Sequence, residues 1–240
     1  MFGITCVIPT SPIPSHPSTA ILDETISSIR FHMPEARIIV MADGLRDEQD
    51  DLLENYDLYL RRILHRGNER RLGAIRVFNG FQHQVGMMRM ILPQIQTELL
   101  LWCEHDTPLV TDEPIDWYGC CAAIESGDVN LIRFLHEAHI LSEHEHLMLE
   151  QIESHGVPLR KTIQFSARPH LASVAFYRKL LERFSPNAKC FLEDAAHSFC
   201  QSEPWADWRL SIYNPAGNAK RSLHSDGRAG GPKFDDAQVF

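Results

Sequence analysis

An uninterrupted apolar run at residues 99–103, Leu-Leu-Leu-Trp-Cys, stops abruptly at Glu104-His105-Asp106. Such a run predicts a buried strand, and the acidic residues after it are expected at the edge of a sheet, where α/β proteins bind ligands. An apolar, extended course resumes at 107–110, so the charged triplet occupies a tight connection. Carboxylates held in this way suit a divalent cation that prefers hard oxygen ligands. The triplet is equally compatible with a plain polar turn after a core strand.

Strand and helix patterns alternate over the first 110 residues. Short apolar or β-branched runs predict strands at 4–8 and 37–41, in addition to the run at 99–103. Apolar residues recur at helical spacing in 19–31 and 78–95 and predict amphipathic helices there. This alternation, with its short connections, predicts an α/β fold in which helices cover both faces of a mostly parallel, Rossmann-like central sheet.

The remainder of the chain is less regular. The patterns predict helices at 114–126 and 175–184 and a strand at 130–134, and a weaker strand is predicted in the first half at 59–64. From residue 214 onward, Gly, Asn, Ser, Arg and Lys predominate, and few residues suit a core. That composition predicts a flexible C-terminal tail.

Composition limits the class of protein. The 240 residues are 44% hydrophobic, which is enough for a full core, and the formal net charge of −9 argues against a general nucleic-acid-coating protein. The first residues lack the pattern of a secretory leader, and no apolar run approaches the roughly 18 residues of a membrane span. The six cysteines form no C-x-x-C pair, which is typical of reduced core residues. These features predict a cytoplasmic protein without a membrane span.

Three features taken in chain order carry a resemblance to a known family. The strand and loop at 4–10 come first, Asp43 ends the second predicted strand, and Glu104-His105-Asp106 ends a later one. This arrangement resembles the GT-A class of glycosyltransferases, in particular inverting, family-2-like members. The resemblance implies an α/β/α sandwich that binds a nucleotide sugar.

The resemblance also implies how the chain is divided. We expect a single domain over 1–240, with a nucleotide-sugar-binding half at 1–110 and an acceptor half at 111–213. Residues 214–240 would then form a C-terminal lid or tail. The likeness is strongest over 4–110, where the three features lie.

Each part of this site has an expected ligand. A nucleotide sugar, with a UDP-sugar favoured, would contact Pro9, Thr10, Ser11, Asp43, Arg89, Glu104 and His105. Mn²⁺ or Mg²⁺ would be held on the diphosphate by Asp106, together with Glu104 and His224, and would stabilise the charge of the leaving group. The family motif has Asp where this chain has Glu104, which makes Asp106 the firmer metal ligand. Asp43-Gly44 alone is equally compatible with a simple turn.

A second acidic pair, Glu193-Asp194, precedes a predicted helix at 192–201. It resembles the Glu-Asp motif of inverting GT-A enzymes, in which one carboxylate removes the proton from the acceptor hydroxyl. We expect Asp194 to be this base, with Glu193 as the alternative. Acidic residues also favour the N-terminus of any helix, so a purely structural role remains open.

The tail and one loop complete the predicted site. In the tail, Lys220, Arg221 and Arg228 could hold phosphate oxygens while His224 completes the metal shell, unless the tail is a solvated terminus. A loop with polar, aromatic and cationic side chains is predicted to bind the acceptor through Gln164, Ser166, Arg168 and His170.

The predicted function is metal-dependent transfer of a sugar from a nucleotide sugar to a hydroxyl, with inversion. The acceptor could be a saccharide, a lipid-linked molecule, a protein or a modified nucleic acid. A nucleotidyltransferase on a related sheet is an alternative, although residues 9–17 lack the Gly and Lys expected of its first loop. A non-catalytic nucleotide- or sugar-binding module is a further alternative, disfavoured by the Glu193-Asp194 pair.

Overall fold

The computed structural model describes residues 3–68, 73–215 and 219–225. Across these residues, nine strands form one sheet in the order β3-β2-β1-β4-β8-β5-β9-β7-β6. The strands are β1 Ile4–Thr10, β2 Arg37–Ala42, β3 Ala74–Val77, β4 Leu99–Trp102, β5 Leu131–Arg133, β6 Met148–Ser154, β7 Val157–Thr162, β8 His170–Ser173 and β9 Leu210–Tyr213. Strands from both predicted halves of the chain therefore share one sheet.

Helices cover both faces of this sheet. The described α-helices are α1 Ala20–His32, α2 Leu53–Asn68, α3 His83–Ile91, α4 Trp117–Glu125, α5 Val174–Glu182, α6 Leu192–Ser202 and α7 Trp205–Trp208. Short 3-10 helices occupy Asp47–Leu52, Leu92–Gln94 and Ser142–Leu147. The α/β class and its layered architecture are confirmed.

Neighbouring residues of β1 face opposite layers. Cys6 and Ile8 join an apolar cluster with residues of α1, α2 and α4, whereas Val7 joins a cluster with residues of α3, α5 and α6. This is the period-two alternation of a strand, and all of β1 is buried. Burial of both faces explains why the central strands read as continuous apolar runs.

The sheet is parallel in one half and mixed in the other. β3, β2, β1 and β4 are parallel neighbours, so their carboxyl ends meet at one edge. β8 is antiparallel to both β4 and β5, and β7 is antiparallel to both β6 and β9. The expectation of a mostly parallel sheet thus holds for the first half, whereas the second half combines the parallel pair β5–β9 with antiparallel pairings such as β6–β7.

The weak strand predicted at 59–64 is wrong, because these residues lie in α2. Tyr56, Tyr59 and Ile63 are buried and follow one face of this helix. Their aromatic and β-branched side chains favour a strand locally, but the three- and four-residue spacing decides the outcome.

Residues 219–225 run against the connection that follows β4. The amide of Leu223 donates to the carbonyl of Pro108 (2.8 Å), and the amide of Ser225 donates to the carbonyl of Asp106 (2.7 Å). This segment departs from the mobile tail expected from its composition, because backbone hydrogen bonds hold it. Residues 216–218 and 226–240, with Arg228, lie outside the described residues. Within the described residues, no helix combines the length and apolarity needed to cross a membrane.

Candidate functional site

A small cleft of about 90 Å³ opens where β1, β2 and β4 end. Parallel strands bring their carboxyl ends to the same edge, so the residues that follow each strand become neighbours. The predicted residues that line this cleft are Pro9, Thr10, Ser11, Asp43, Glu104 and His105. The structure therefore gathers six of the expected nucleotide-sugar contacts in one place.

Asp43 is already bound to backbone on one side of the small cleft. Its Oδ1 accepts from the amides of Gly44 (2.9 Å) and Gln82 (2.7 Å), and its Oδ2 accepts from the amide of His83 (2.8 Å). Burial raises the pKa of Asp43, while these hydrogen bonds and the charge of Arg46 oppose the rise. A carboxylate has about four acceptor positions, so three bonds leave capacity for about one more donor.

Aromatic and cationic side chains that the sequence analysis did not select line the same cleft. The His83 ring meets the Phe191 ring edge-on at 4.0 Å between centroids, and the Arg46 guanidinium lies 4.7 Å from the Phe81 centroid. Burial, assisted by the charge of Arg46, lowers the pKa of His83 to about 4. His83 is therefore neutral at pH 7 and offers the cleft a flat, uncharged ring.

A large cavity of about 590 Å³ lies beside the small cleft. Its lining includes six residues predicted for metal, base or acceptor roles: Glu104, Gln164, Ser166, Arg168, Glu193 and His224. Arg133, His136, Glu137 and an aliphatic wall also line it. Since Glu104 lines both spaces, the two are adjoining parts of one site.

Glu104 is held by a residue that no sequence motif indicated. Gln84 Nε2 donates to Glu104 Oε1 (2.6 Å), and Gln84 Oε1 accepts from the amide of Leu192 (3.1 Å) at the start of α6. The amide of Thr107 closes a tight turn onto the carbonyl of Glu104 (3.0 Å), as expected for the charged triplet. Gln84 thus links α3, the end of β4 and α6.

Glu193 and Asp194 point to different surroundings. Glu193 lines the large cavity, and its Oε1 accepts from the amide of Ala167 (2.8 Å). Asp194 instead lines a surface groove that shares four lining residues with the small cleft, and its Oδ2 accepts from the amide of Phe191 (3.3 Å) at the start of α6. Glu193 therefore faces the large cavity, whereas Asp194 caps α6 beside the small cleft.

The predicted metal ligands are partly assembled. Asp106 is only 1% exposed, and its Oδ2 lies 3.5 Å from Nε2 of His224, which the 219–225 segment carries to it. Among the described residues, no group of three or more His, Cys, Asp or Glu side chains is arranged to hold a metal ion. The pair Asp106–His224 fits a divalent cation whose remaining ligands come from substrate phosphate and water, as is usual for Mg²⁺.

An ion pair and a hydrogen bond order part of the lining of the large cavity. Arg168 binds Glu137 through two parallel hydrogen bonds, one of which joins Nη2 to Oε1 at 2.8 Å. Burial raises the pKa of Glu137, but the hydrogen bonds and charge of Arg168 outweigh that effect and leave the pKa lowered. His136 hydrogen-bonds Ser222 Oγ at 2.8 Å, and burial lowers its pKa to about 4.

Arg89, which the sequence predicts to bind the donor, does not line either space. Its guanidinium donates to four carbonyl oxygens around the end of α5, those of Leu181, Phe184, Ser185 and Pro186. Carbonyls after a helix C-terminus lack partners within the helix, so a cation is favourable there. Arg89 is a structural residue in this position.

Three further predicted residues also lie apart from the two spaces. His170 is fully buried in β8, where Nε2 hydrogen-bonds Tyr177 Oη at 2.7 Å and burial lowers the pKa to about 3. Arg221 is 5% exposed and lies over the Tyr213 ring. Lys220 is exposed and lines a different groove. The structure therefore does not bring His170, Lys220 or Arg221 to the lining of either space.

Solved structures share this fold. S. aureus TarS 1-349 in complex with UDP aligns with a TM-score of 0.57 and 11% identity over 92% of this chain. GalNAc-T7 with UDP, GalNAc and Mn²⁺ gives a TM-score of 0.56 and 10% identity over 93% of the chain. Mannosyltransferase PcManGT from Pyrobaculum calidifontis, in complex with GDP-Man and Mn²⁺, gives a TM-score of 0.54 and 12% identity over 89% of the chain. These likenesses show a GT-A-like fold.

The chain is shorter than the proteins it resembles. It covers 60% of the TarS 1-349 chain, 55% of PcManGT and 44% of GalNAc-T7. No protein-family model matches the sequence. No curated protein sequence matches it significantly. The likeness is therefore one of fold, and the function must be argued from this chain's own residues.

Proposed function

We propose that this chain is a metal-dependent glycosyltransferase that moves a sugar from a nucleotide sugar, with a UDP-sugar favoured, to an acceptor hydroxyl with inversion. The observation that carries the proposal is the position of Glu104, which lines both the small cleft and the large cavity. A donor in the cleft and an acceptor in the cavity would then meet beside one carboxylate.

The small cleft suits the nucleoside end of the donor. The rings of Phe81, His83 and Phe191 offer flat surfaces for a base. Asp43 retains acceptor capacity for a base or ribose donor group, with Pro9, Thr10 and Ser11 beside it. At about 90 Å³ the cleft is smaller than a typical ligand site, so the ribose and diphosphate must extend toward Glu104 and the large cavity.

Asp106 and His224 would hold the metal ion. Bound Mn²⁺ or Mg²⁺ supplies positive charge that stabilises the leaving diphosphate. The burial of Asp106 fixes its carboxylate, and the hydrogen bond from the amide of Ser225 keeps His224 nearby. Glu104 would contact the ion through water or bind sugar hydroxyls.

Glu193 is our proposed base, in place of Asp194. Its Oε1 is fixed by the amide of Ala167, and the carboxylate faces the cavity in which Gln164, Ser166 and Arg168 would bind the acceptor. Glu193 takes the proton from the acceptor hydroxyl as that oxygen bonds to the anomeric carbon. The bond from this carbon to the diphosphate breaks, and its electron pair leaves on the diphosphate oxygen. A single displacement of this kind inverts the anomeric centre.

The test is donor hydrolysis across a panel of UDP- and GDP-sugars, with and without Mn²⁺. We expect metal-dependent release of a nucleoside diphosphate from a UDP-sugar, and loss of that release in Asp106→Asn. Release of pyrophosphate from a nucleoside triphosphate would favour a nucleotidyltransferase instead. Binding of UDP without turnover of any donor would favour a non-catalytic module.

A further inference from the structure

Arg133 is a buried cation in the wall of the large cavity. It ends β5 and is only 4% exposed. Its Nη2 donates to Gln164 Oε1 at 3.0 Å, whereas its Nε is buried and has no hydrogen-bond partner among the described residues. A buried donor without an acceptor is costly, and a buried charge more so.

Charged side chains of both signs lie near Arg133. Arg168 is close enough to oppose its charge, and Arg168 itself is paired with Glu137. Burial, followed by the charge of Arg168, lowers the pKa of Arg133 to about 10, while Glu193 and Glu137 oppose that change, so Arg133 is still a cation at pH 7. Among the described residues, no carboxylate forms an ion pair with it.

We propose that Arg133 binds an anionic group of the acceptor, a carboxylate or a phosphate, inside the large cavity. This inference rests on the proposed function, and it narrows the acceptor to an anionic molecule. A planar guanidinium matches the two oxygens of either group, and the anion would provide the acceptor that Nε lacks. Aliphatic side chains in the same lining would contact the carbon skeleton beside the anionic group: Leu135, Ile140, Leu141, Met148 and Ile212.

The first test uses inorganic phosphate and acetate as separate probes, without metal. In the wild type, the Arg133 Nε–H resonance should shift on titration with at least one of them. The melting temperature should rise by about 2–4 °C at several times the dissociation constant, because the anion binds the folded state. The rise in melting temperature should be lost in Arg133→Gln, and both effects should be retained in Arg178→Gln, which removes an exposed charge from α5. Arg133→Lys keeps the charge but loses the planar guanidinium with its paired N–H donors, so it should weaken anion binding at least several-fold.

The resonance is read in the wild type, so the result does not depend on a variant that fails to fold. Absence of a shift with both anions overturns the proposal, and the response to each probe separates a carboxylate site from a phosphate site. Saturating UDP with Mn²⁺ should leave the anion-induced shift of the Arg133 resonance in place. Displacement of the anion by UDP would assign Arg133 to the donor diphosphate and overturn its role in acceptor binding.

The outcome is distinguishable from failure of the proposed function. If no nucleotide sugar binds or turns over, while the anion still binds at Arg133, glycosyl transfer is wrong and the anion site stands. If donor hydrolysis is intact but neither anion binds, the transferase stands and the anionic acceptor is wrong.

Discussion

Gln84 Nε2 donates to Glu104 Oε1 across 2.6 Å, and this bond fixes the one carboxylate among the described residues that lines both the small cleft and the large cavity. Gln84 itself is fixed, because its Oε1 accepts from the amide of Leu192. The side-chain amide of Gln84 therefore holds Glu104 in one orientation relative to α6, the helix that carries Glu193. A residue without charge or motif therefore sets the geometry between the small cleft and the large cavity.

Gln84→Leu should lower kcat/KM for transfer by about 10–100-fold, the usual cost of losing a residue that orients a ligand-binding side chain. The substitution keeps the volume near that of Gln but releases Glu104 and leaves the amide of Leu192 without its acceptor. Steady-state kinetics with a UDP-sugar and Mn²⁺ measure the loss. Gln94→Leu, at an exposed glutamine, is the matched control. Equal losses in both variants would contradict the orienting role of Gln84.

Glu193→Gln should slow transfer by about 10²–10⁴-fold, as expected for loss of a general base, and leave donor affinity nearly unchanged. Asp194→Asn is the matched comparison, because it removes the adjacent charge but should cost mainly helix stability. It should lower the free energy of unfolding by about 0.5–2 kcal/mol, the range for loss of an N-terminal helix cap. Single-turnover rates and UDP titrations separate chemistry from binding. The reverse ranking of the two variants would restore Asp194 as the base.

UDP should raise the melting temperature of the wild type only when Mn²⁺ or Mg²⁺ is present, because the diphosphate and the ion bind together. Asp106→Asn should abolish this metal-dependent rise, and His224→Ala should reduce it. These two residues are chosen because His224 Nε2 lies 3.5 Å from Asp106 Oδ2. Differential scanning fluorimetry with each metal provides the measurement. A full metal-dependent rise in Asp106→Asn would show that the ion binds elsewhere.

The parts of this structure that could be predicted from sequence share one signal, a charge where an apolar run ends. Asp43 and Glu104 carry that signal, and the parallel half of the sheet brings both to the small cleft. Arg133 carries it too, at the end of β5, although no sequence motif marks this residue. The positions of the other residues depend on how strands that are distant in the chain pair with each other.

His170 illustrates what local sequence could not show. Its loop-like surroundings, with Ser166 and Pro169, suggested an exposed contact, yet β8 inserts between β4 and β5 and buries the imidazole. That insertion depends on antiparallel pairing between residues distant in the chain, which no local pattern records. Gln84 was missed for a similar reason, since its partners Glu104 and Leu192 come from other elements.

The free energy of unfolding should fall as the pH drops from about 6.5 toward 4. Burial is the main cause that holds the pKa of His170 near 3 and that of His136 near 4, below the ordinary 6.5, so these rings stay neutral in the folded protein. The unfolded chain binds protons over this range and the folded chain does not, so stability rises with pH there. Each such histidine contributes a slope of at most about 1.4 kcal/mol per pH unit. Urea titrations of the wild type, His170→Gln and the exposed control His65→Gln measure how the free energy of unfolding depends on pH. If His170→Gln has the same pH dependence as the wild type, His170 is protonated in the folded state.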